Sequence, residues 1–533
     1  MQIGFCSMLP RVTEASFFIC AIVLITVQHA ASGDFREWLN HGGDISNTRF
    51  AKTEYQISTR TASHLQQTWT FDAGLMVTAT PAIADGILYF PSWIGNIYAV
   101  NATSGALIWQ QNLANLTGIT SALARASPAV YGQYLLIGLR GPAMILGLQR
   151  SDGSLIWKTL LDPHPMGIIT MSGTPFKGAF YVGTSSLEEI GNASLCCTFQ
   201  GSFNKLNITD GSIIWKTLML PYNHGSQVGY SGAALWGSSP SIDPQRNLIY
   251  IATGNDYRLP QNVTLCEQQQ LNRSTPIVPD PCAIPGNHAE SILALDLDAG
   301  TIKWSTPLGG YDAFTVTCLV NRSAPNCPPT LGPDYDFGEA PMLLTVPVNS
   351  KHGEVQCRDI VVAGQKSGVV WALDRDTGSI VWSTVAGPGG ETGGATWGSA
   401  TDGKRIYTNI ANSQRKNFTL VPSTAITTAG GWVAMDASTG KVLWTKANPD
   451  GISQATAPVT VANGVVFVGS YDPKGFVYAL DANTGDILWN ATTGSTVQGG
   501  FAIANGCAYI GTGYTMPGRL LFAFCLPKKL CDT

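Results

Sequence analysis

The cysteines are the residues whose type and spacing point most directly to chemistry. Of the twelve, ten remain once the two within about the first 30 residues are set aside. An even number of cysteines is typical of a chain that forms disulfides on an oxidising route. The spacing favours local disulfides between Cys266 and Cys282 and between Cys318 and Cys327. The sequence has neither a zinc-type cysteine and histidine array nor the Cys-x-x-Cys-His motif of covalently attached haem.

The other cysteines have less obvious partners. Cys196 and Cys197 are adjacent, and nothing in the spacing suggests a partner for Cys357. Three more lie near the C-terminus: Cys507, Cys525 and Cys531. The sequence leaves the connectivity of these six open.

Two acidic residues stand two positions apart in the segment PDYDFGEAP, at Asp334 and Asp336. In a strand-like backbone, residues two apart face the same side, so both carboxylates can reach one cation. The alternative is that the segment is a solvated loop with no ligand.

The N-terminal residues 1–32 are expected to be a secretory signal peptide. Arg11 precedes the apolar run from Phe17 to Ile25, and the small residues from Ala30 to Gly33 follow it. The run is short for a membrane span, although a retained anchor is the alternative. No other stretch approaches about 18 uninterrupted apolar residues, so we expect a mature chain without a membrane span.

Nine Asn-x-Ser/Thr sequons follow this segment and predict a secreted glycoprotein with N-linked glycans. They are Asn101, Asn115, Asn192, Asn207, Asn262, Asn272, Asn321, Asn417 and Asn490.

Charged residues make up only 12% of the chain, with a net charge of −4 and no basic cluster, so nucleic acid binding is not expected.

The elements that must position any site are indicated by a repeated hairpin, of which WALDRDTGSIVW, from Trp371 to Trp382, is the clearest copy. An acid or a polar residue begins the turn, glycine supplies a position with positive φ, and a tryptophan ends the second strand. Seven copies keep the glycine four residues before the tryptophan, and they end at Trp109, Trp157, Trp215, Trp304, Trp382, Trp444 and Trp489.

With Trp69 there are eight such tryptophans, and the shorter spacings between them suit one four-stranded blade each. We therefore predict an all-β fold in residues 33–533: a single eight-bladed β-propeller of four-stranded antiparallel blades with tryptophan-docking repeats. The C-terminal RLLFAFCLP resembles one further strand, so the chain ends are expected to share a blade and close the ring.

Two long insertions interrupt the repeats, at about 256–290 and 309–339. Both are rich in Pro, Asn and Cys, and both contain one of the local disulfide candidates. Loops on a rigid scaffold often carry binding sites, so they can cover a site at the axis of the ring. Glycosylated surface decoration is the alternative.

The tryptophan hairpins, and the preceding strands that end in Gly-Thr or Gly-Ser, resemble the eight-bladed quinoprotein alcohol dehydrogenases. These proteins bind pyrroloquinoline quinone (PQQ) and a calcium ion near the axis, and the polyvinyl-alcohol-dehydrogenase-like branch is the most similar. The resemblance covers nearly all of the mature chain. The repeats alone imply only the fold, because non-enzymatic propellers share them.

The resemblance implies a set of oxygen ligands for the ion, since calcium prefers carboxylate and amide oxygens. The segment SSLEE offers Glu188, with Glu189 one place off, and LIYIATGND offers Asn255. Asp334 completes the set, and Asp336 resembles an added ligand in the branch that binds larger, more highly charged ions. The structural alternative for Asn255 is the cap of a turn.

The resemblance also implies a pocket for the flat tricarboxylate cofactor. Trp236 in LWGSSP matches an aromatic floor, Lys366 in AGQKSG a cation at the quinone oxygens, and Arg125 a partner of a cofactor carboxylate. Ser172 in MSGTP is a weaker match for a hydroxyl contact. Surface charges are the alternative for the two cations.

Cys196 and Cys197 match the vicinal disulfide of the family by type but not by position, because here they follow Glu188. Their order resembles the polyvinyl-alcohol branch, where an arginine is expected at the position of Gln200. The loss of that cation puts cofactor affinity in doubt. Two ordinary disulfides to other cysteines are the alternative.

If the resemblance extends to activity, the chain oxidises an alcohol to an aldehyde or ketone. Asp334 is then the general base, and a cation acts as Lewis acid. With no haem motif in the chain, electrons would pass to a separate acceptor. The competing hypothesis is a non-catalytic secreted propeller that binds a glycan, a protein or another ligand.

Overall fold

Each tryptophan hairpin of the sequence forms the two outer strands of one sheet, as the sequence predicts. The computed structural model describes residues 36–192, 194–271, 281–282, 284–324, 326–349 and 355–527. The predicted signal peptide, the sequon at Asn272 and Cys531 lie outside the described residues. Within the described ranges there are eight four-stranded antiparallel sheets, arranged as the blades of a propeller.

The strands of blades 1 to 7 run in chain order from the buried axis to the exposed rim. Blade 1 contains Ala82–Ala84, Ile87–Ser92, Asn96–Asn101 and Leu107–Asn112; blade 2, Ala129–Tyr131, Tyr134–Gly138, Ala143–Gln149 and Leu155–Asp162; blade 3, Thr174–Phe176, Ala179–Gly183, Ser202–Asn207 and Ile213–Leu218; and blade 4, Ser241–Asp243, Leu248–Ala252, Ser291–Asp296 and Ile302–Pro307.

The second half of the ring repeats the pattern. Blade 5 contains Met342–Asn349, Val355–Gly364, Val369–Asp374 and Ile380–Val385; blade 6, Ala400–Thr401, Arg405–Ile410, Gly431–Asp436 and Val442–Ala447; blade 7, Thr460–Ala462, Val465–Gly469, Phe476–Asp481 and Ile487–Thr492; and blade 8, Ala502–Ala504, Cys507–Gly511, Leu520–Cys525 and, outermost, Gln66–Asp72.

Smaller elements decorate this frame. Three two-stranded ribbons pair Gly167–Ile168 with Ser185–Ser186, Ser231–Gly232 with Asp256–Arg258, and Phe418–Thr419 with Ile426–Thr427. Short helices span Ala62–His64, Leu113–Thr117, Glu188–Ile190, Gln261–Leu271 and Val316–Val320. None of the helices among the described residues is both long and apolar enough to cross a membrane.

The ring closes through blade 8, where the two ends of the chain meet. Gln66–Asp72 pairs antiparallel with Leu520–Cys525, so the predicted sharing of a blade by the chain ends is confirmed. Closure removes the exposed edges that an open array of sheets would present.

The tryptophans join each blade to the next. Seven indole N–H groups donate to a backbone carbonyl in the hairpin turn of the following blade, and that of Trp489 donates to the carbonyl of Leu65.

The hairpin turn itself is held by its acid: Asp374 Oδ1 accepts from the N–H groups of Asp376 and Thr377, both at 3.1 Å. Gly378 in the same turn has φ +70°, and a Cβ there would lie 2.6 Å from the ring of Trp304. The turn therefore requires glycine for both its conformation and its contact.

The segment 38–51 lies against the innermost strands of the ring. Its backbone bonds to the first strands of six blades, beginning with Trp38, which pairs with Ile83 of blade 1, and ending with Arg49 and Ala51, which bond to Val461 of blade 7. Arg49 is fully buried and donates to the carbonyl of Val459 at 2.7 Å. We call this segment the plug. The sequence indicated only irregular structure here.

Disulfides link the described cysteines. The predicted pairs Cys266–Cys282 and Cys318–Cys327 are confirmed, and Cys196–Cys197 and Cys507–Cys525 are also bonded. Cys357, for which the sequence suggested no partner, is disulfide-bonded as well.

Candidate active site

A cavity of about 440 Å³ lies inside the ring, and two sets of side chains form opposite parts of its wall. Blades 3 to 5 contribute the charged groups Glu189, Asp336 and Lys366, with Asp334 and Asn255 packed behind them; we call this set the charged wall. Blades 7 and 8 contribute uncharged hydroxyl and amide groups, which we call the neutral wall: Gln454, Thr456, Tyr471, Gln498, Tyr514 and Thr515.

The centre of the charged wall is a buried ion-pair cluster. Lys366 Nζ lies 2.7 Å from Asp334 Oδ1 and 3.3 Å from Asp336 Oδ2. The three residues are 2% to 6% exposed. Burial opposes the charge on Lys366, but Asp334, Asp336 and Glu189 together raise its pKa above the usual value. Burial raises the pKa of Asp334 well above its usual value, and Lys366 opposes that shift.

Asp336 orients the groups around it. Its Oδ2 accepts from the indole Nε1 of Trp236 at 2.9 Å, and its Oδ1 accepts from the backbone N–H of Asn255 at 2.5 Å. The backbone N–H of Lys366 donates to the carbonyl of Asp336 at 3.0 Å. Through its side chain and its carbonyl, Asp336 links the segment that precedes blade 4 to one loop of blade 4 and one loop of blade 5.

Asn255 presents one buried oxygen without a hydrogen-bond partner. Its Nδ2 donates to the carbonyls of Asp256 and Phe314, both at 2.9 Å, which fixes the orientation of the amide. Its Oδ1 is buried and accepts no hydrogen bond. A buried amide oxygen normally has a partner, so this oxygen is suited to a cation or another donor.

The two adjacent glutamates point in different directions, because they lie in the short helix Glu188–Ile190 rather than in a strand. Glu188 is not among the residues lining the cavity; its carboxylate accepts from the N–H groups of Thr198 and Phe199 at 2.8 and 2.9 Å. Glu189 lines the cavity, and burial raises its pKa to about 7. The structure therefore places Glu189, not Glu188, beside Lys366 and Asp336.

Two tryptophans and an arginine form a further part of the cavity wall. Trp236 and Trp397 contact edge to face with ring centroids 5.0 Å apart, and the Arg125 guanidinium lies 4.6 Å from the centroid of Trp397. Lys366 Nζ lies 5.1 Å from the centroid of Trp236. The plug supports this arrangement, because the ring of His41 hydrogen-bonds to the carbonyl of Trp397 at 2.7 Å.

Four further positions singled out in the sequence lie outside the cavity lining, as Asp334 and Asn255 do. Ser172 lines an adjoining cavity of about 20 Å³ that shares Arg125 and Trp397 with the larger one, and its Oγ accepts from the N–H of Ser127. The Cys196–Cys197 pair is buried in one apolar cluster with Tyr257, against which Trp236 packs. Gln200, where the resemblance leads us to expect arginine, donates to the carbonyls of Pro221 and Tyr230 and so has a structural role.

Sequence reasoning missed Tyr257 and Trp397, which both line the cavity. Trp397 stands in a Trp-Gly-Ser triplet just before blade 6, as Trp236 does before blade 4, so this repetition is a signal that could have found it. Tyr257 follows Asn255 by two residues in a short strand, and only the fold brings it to the acids.

The cluster does not by itself form an all-carboxylate metal centre. Among the described residues, no group of three or more His, Cys, Asp or Glu side chains is arranged to hold a metal ion.

The comparisons with known proteins agree with this fold. The family model described as outer membrane protein assembly factor BamB (PQQ_2) matches residues 66–306 and 366–513. A polyvinylalcohol dehydrogenase of Pseudomonas sp is 27% identical over 90% of this chain and 73% of its own length.

Solved structures resemble the chain in fold. The quinohemoprotein alcohol dehydrogenase of Comamonas testosteroni superposes with a TM-score of 0.66 at 18% identity, covering 92% of this chain and 80% of the other. A europium-containing methanol dehydrogenase superposes with a TM-score of 0.65 at 16% identity, covering 92% of this chain and 98% of the other.

Proposed function

This chain belongs to the PQQ_2 family and resembles the polyvinyl-alcohol branch of the quinoprotein alcohol dehydrogenases, and on that basis we propose that it oxidises an alcohol with PQQ and a cation. The observation that carries the proposal is the Lys366–Asp334–Asp336 cluster beside a cavity of about 440 Å³. Buried charges are retained at a cost in desolvation, and a cluster of them in a cleft favours a functional role.

The cavity has the groups that a flat tricarboxylate needs. Trp236 and Trp397 offer aromatic faces, and Arg125 and Lys366 offer cations. The Cys196–Cys197 pair packs in the same apolar cluster as Trp236, which supports its assignment to the cofactor pocket. When bound, the quinone supplies a hydride acceptor, and the cation supplies Lewis-acid polarisation.

Asp334 is the proposed general base that takes the hydroxyl proton of the alcohol. Its raised pKa favours proton uptake, and Lys366 orients its carboxylate. Asp336 is a less suitable base, because both of its oxygens already accept hydrogen bonds. Asp336 would instead hold Trp236 and Lys366 in place.

The proposed cation ligands are Glu189, Asn255, Asp334 and Asp336. Glu189 replaces the sequence candidate Glu188, whose carboxylate is occupied by backbone N–H groups. The unpartnered Oδ1 of Asn255 supplies the neutral oxygen. Calcium is the proposed ion, with a larger and more highly charged cation as the alternative that the extra acid favours.

Secretion, N-linked glycans, an alcohol substrate and a separate electron acceptor complete the proposal. Among the described residues, six sequon asparagines are exposed, which supports glycan attachment: Asn115, Asn192, Asn262, Asn321, Asn417 and Asn490. The intact mass of the protein from a eukaryotic secretory host should fall after enzymatic deglycosylation. An unchanged mass would remove this part of the proposal.

The test of the activity uses purified protein mixed with PQQ and calcium, or with a trivalent lanthanide ion. Quinone absorbance reports binding, and the reduction of a dye reports turnover with a panel of alcohols. We expect Asp334→Ala to bind the cofactor but to lose alcohol-dependent dye reduction, whereas Asp486→Ala, an exposed turn acid, behaves as wild type.

Two outcomes would contradict the proposal. Absence of cofactor binding would favour the non-catalytic propeller that binds a glycan, a protein or another ligand. Turnover that survives Asp334→Ala would remove Asp334 as the base.

A further inference from the structure

Asp312, in the insertion 309–339, holds the backbone of the proposed base. Its Oδ1 accepts from the N–H of Asp334 at 2.9 Å, and its Oδ2 accepts from the N–H of Tyr335 at 2.6 Å. Asp312 is 4% exposed and is not among the cavity-lining residues. It contacts the site through the chain segment that it binds, and its charge also acts on those of Glu290 and Asp336.

The two N–H groups belong to the peptide planes on either side of the Cα of Asp334. Holding both planes fixes φ and ψ of that residue, and with them the direction of its side chain. Asp334 has φ +61°, a left-handed conformation that residues with a Cβ seldom adopt. The carboxylate of Asp334 reaches Lys366 Nζ from this conformation at 2.7 Å.

The surroundings of Asp312 are fitted to this role. Gly332 donates its N–H to the carbonyl of Ala313 at 2.9 Å, which brings the returning chain against Asp312. A Cβ at Gly332 would lie 2.2 Å from Asp312 Oδ1. The same insertion supplies the carbonyl of Phe314 to the side chain of Asn255. The insertion is thus part of the site wall rather than surface decoration alone.

We propose that Asp312 is a positioning residue that keeps Asp334 in its left-handed conformation and so aims its carboxylate at Lys366, which lines the cavity. The consequence for turnover rests on the proposed function. The restraint on the backbone of Asp334 does not depend on the proposed function, and it can be measured without cofactor or substrate.

The primary test compares Asp312→Asn with a matched control. An asparagine keeps the shape but places an NH₂ group against one backbone N–H, so one of the two bonds is lost. Asp402→Asn is the control for the same substitution outside the cavity; there a single oxygen, Oδ1, accepts from the N–H groups of Lys404 and Arg405, so an asparagine can keep both bonds. Gly332→Ala is the second variant and displaces the Asp312 carboxylate without changing it.

Two readouts are measured. Hydrogen exchange of a peptide covering residues 333–337 should become at least about 10-fold faster in both variants, because one amide loses its acceptor in Asp312→Asn and the carboxylate is displaced from both amides in Gly332→Ala. In cofactor-loaded protein, kcat should fall about 10- to 100-fold while KM and the affinity for PQQ stay within about 3-fold, since a small misplacement of a reacting group is costly. Asp402→Asn should change neither readout.

Unchanged exchange at residues 333–337 in Asp312→Asn would overturn the proposal. Faster exchange with an unchanged kcat would also overturn it, because the restraint would then have no effect on the base. If the wild-type protein oxidises no alcohol, the proposed function fails, and the exchange measurement still decides whether Asp312 restrains Asp334.

Discussion

The two walls of the cavity are built on the same repeat and differ in almost every other respect. On the side of blades 7 and 8 the loops between strands are short and carry neutral groups such as Tyr471 and Gln498. On the side of blades 3 to 5, insertions lengthen the loops, and the buried acids and Lys366 are found there. The blades supply the frame on both sides, and the buried ion-pair cluster lies on one.

The residues that stabilise the ring are therefore different from those that form the candidate site. The tryptophan hairpins occur around the whole circle and join blades regardless of the wall above them. The ion-pair cluster occurs once among the described residues and depends on Asp312, Asn255 and Trp236. Substitutions in the two walls should therefore have unequal effects.

The largest effect is expected from Lys366→Met. This change leaves Asp334 and Asp336 buried without the ammonium group that pairs with them. We therefore expect kcat to fall by at least about 100-fold and the free energy of unfolding by about 3 kcal/mol. Turnover and urea denaturation measure the two effects. Lys205→Met is the matched control, since the Lys205 side chain is also largely buried but its Nζ donates to the carbonyl of Leu297 far from the cavity. Equal losses in both variants would contradict a special role for Lys366.

The next largest effect should separate the adjacent glutamates. Glu189→Gln removes a carboxylate that lines the cavity, so the affinity for the cation should fall about 10- to 100-fold. Glu188→Gln should leave cation affinity nearly unchanged but lower the free energy of unfolding by about 1 to 3 kcal/mol, because two backbone N–H groups lose a charged acceptor. Tryptophan-sensitised terbium luminescence measures the affinity. The reverse pattern would return Glu188 to the site.

How far the sequence could predict this molecule is visible in these same residues. The hairpins, the eight blades and the shared closing blade are local patterns, so their prediction is confirmed. The short helix at Glu188 breaks strand alternation, so the sequence could not decide which glutamate faces the cavity. The plug and Asp312 act through backbone bonds to distant segments, and such bonds leave no local pattern in a sequence.

A smaller effect is expected in the neutral wall. Gln454→Leu and Thr515→Val each remove one neutral hydrogen-bonding group, so we expect KM to change less than about 10-fold and kcat to change little. Steady-state kinetics with one alcohol of the panel measures both constants. A loss of kcat as large as that of Lys366→Met would contradict the expectation that the neutral wall matters less for activity than the charged wall.

The smallest effect on activity is expected at Glu339, a buried acid beneath the cavity near Arg49 of the plug. Burial raises the pKa of Glu339 from 4.5 to about 7. Between about pH 4.5 and 7, Glu339 keeps its proton in the folded state but loses it in the unfolded state. The contribution of Glu339 to the free energy of unfolding therefore decreases as the pH rises through this range, by about 3 kcal/mol in total. Urea denaturation at pH 5 and 7 should show a weaker decrease in Glu339→Gln than in wild type. An identical pH dependence in both proteins would contradict this account.

The most direct measurement of the central claim is a single turnover without an electron acceptor. Protein loaded with PQQ and cation is mixed rapidly with an alcohol, and the loss of oxidised quinone absorbance is followed over time. We expect one equivalent of quinone to be reduced in wild type and in Gln454→Leu, and the rate to fall about 10²- to 10⁴-fold in Asp334→Asn. Reduction at the same rate in Asp334→Asn, or no reduction in wild type with any alcohol, would contradict the assignment of the charged wall as an alcohol-oxidising site.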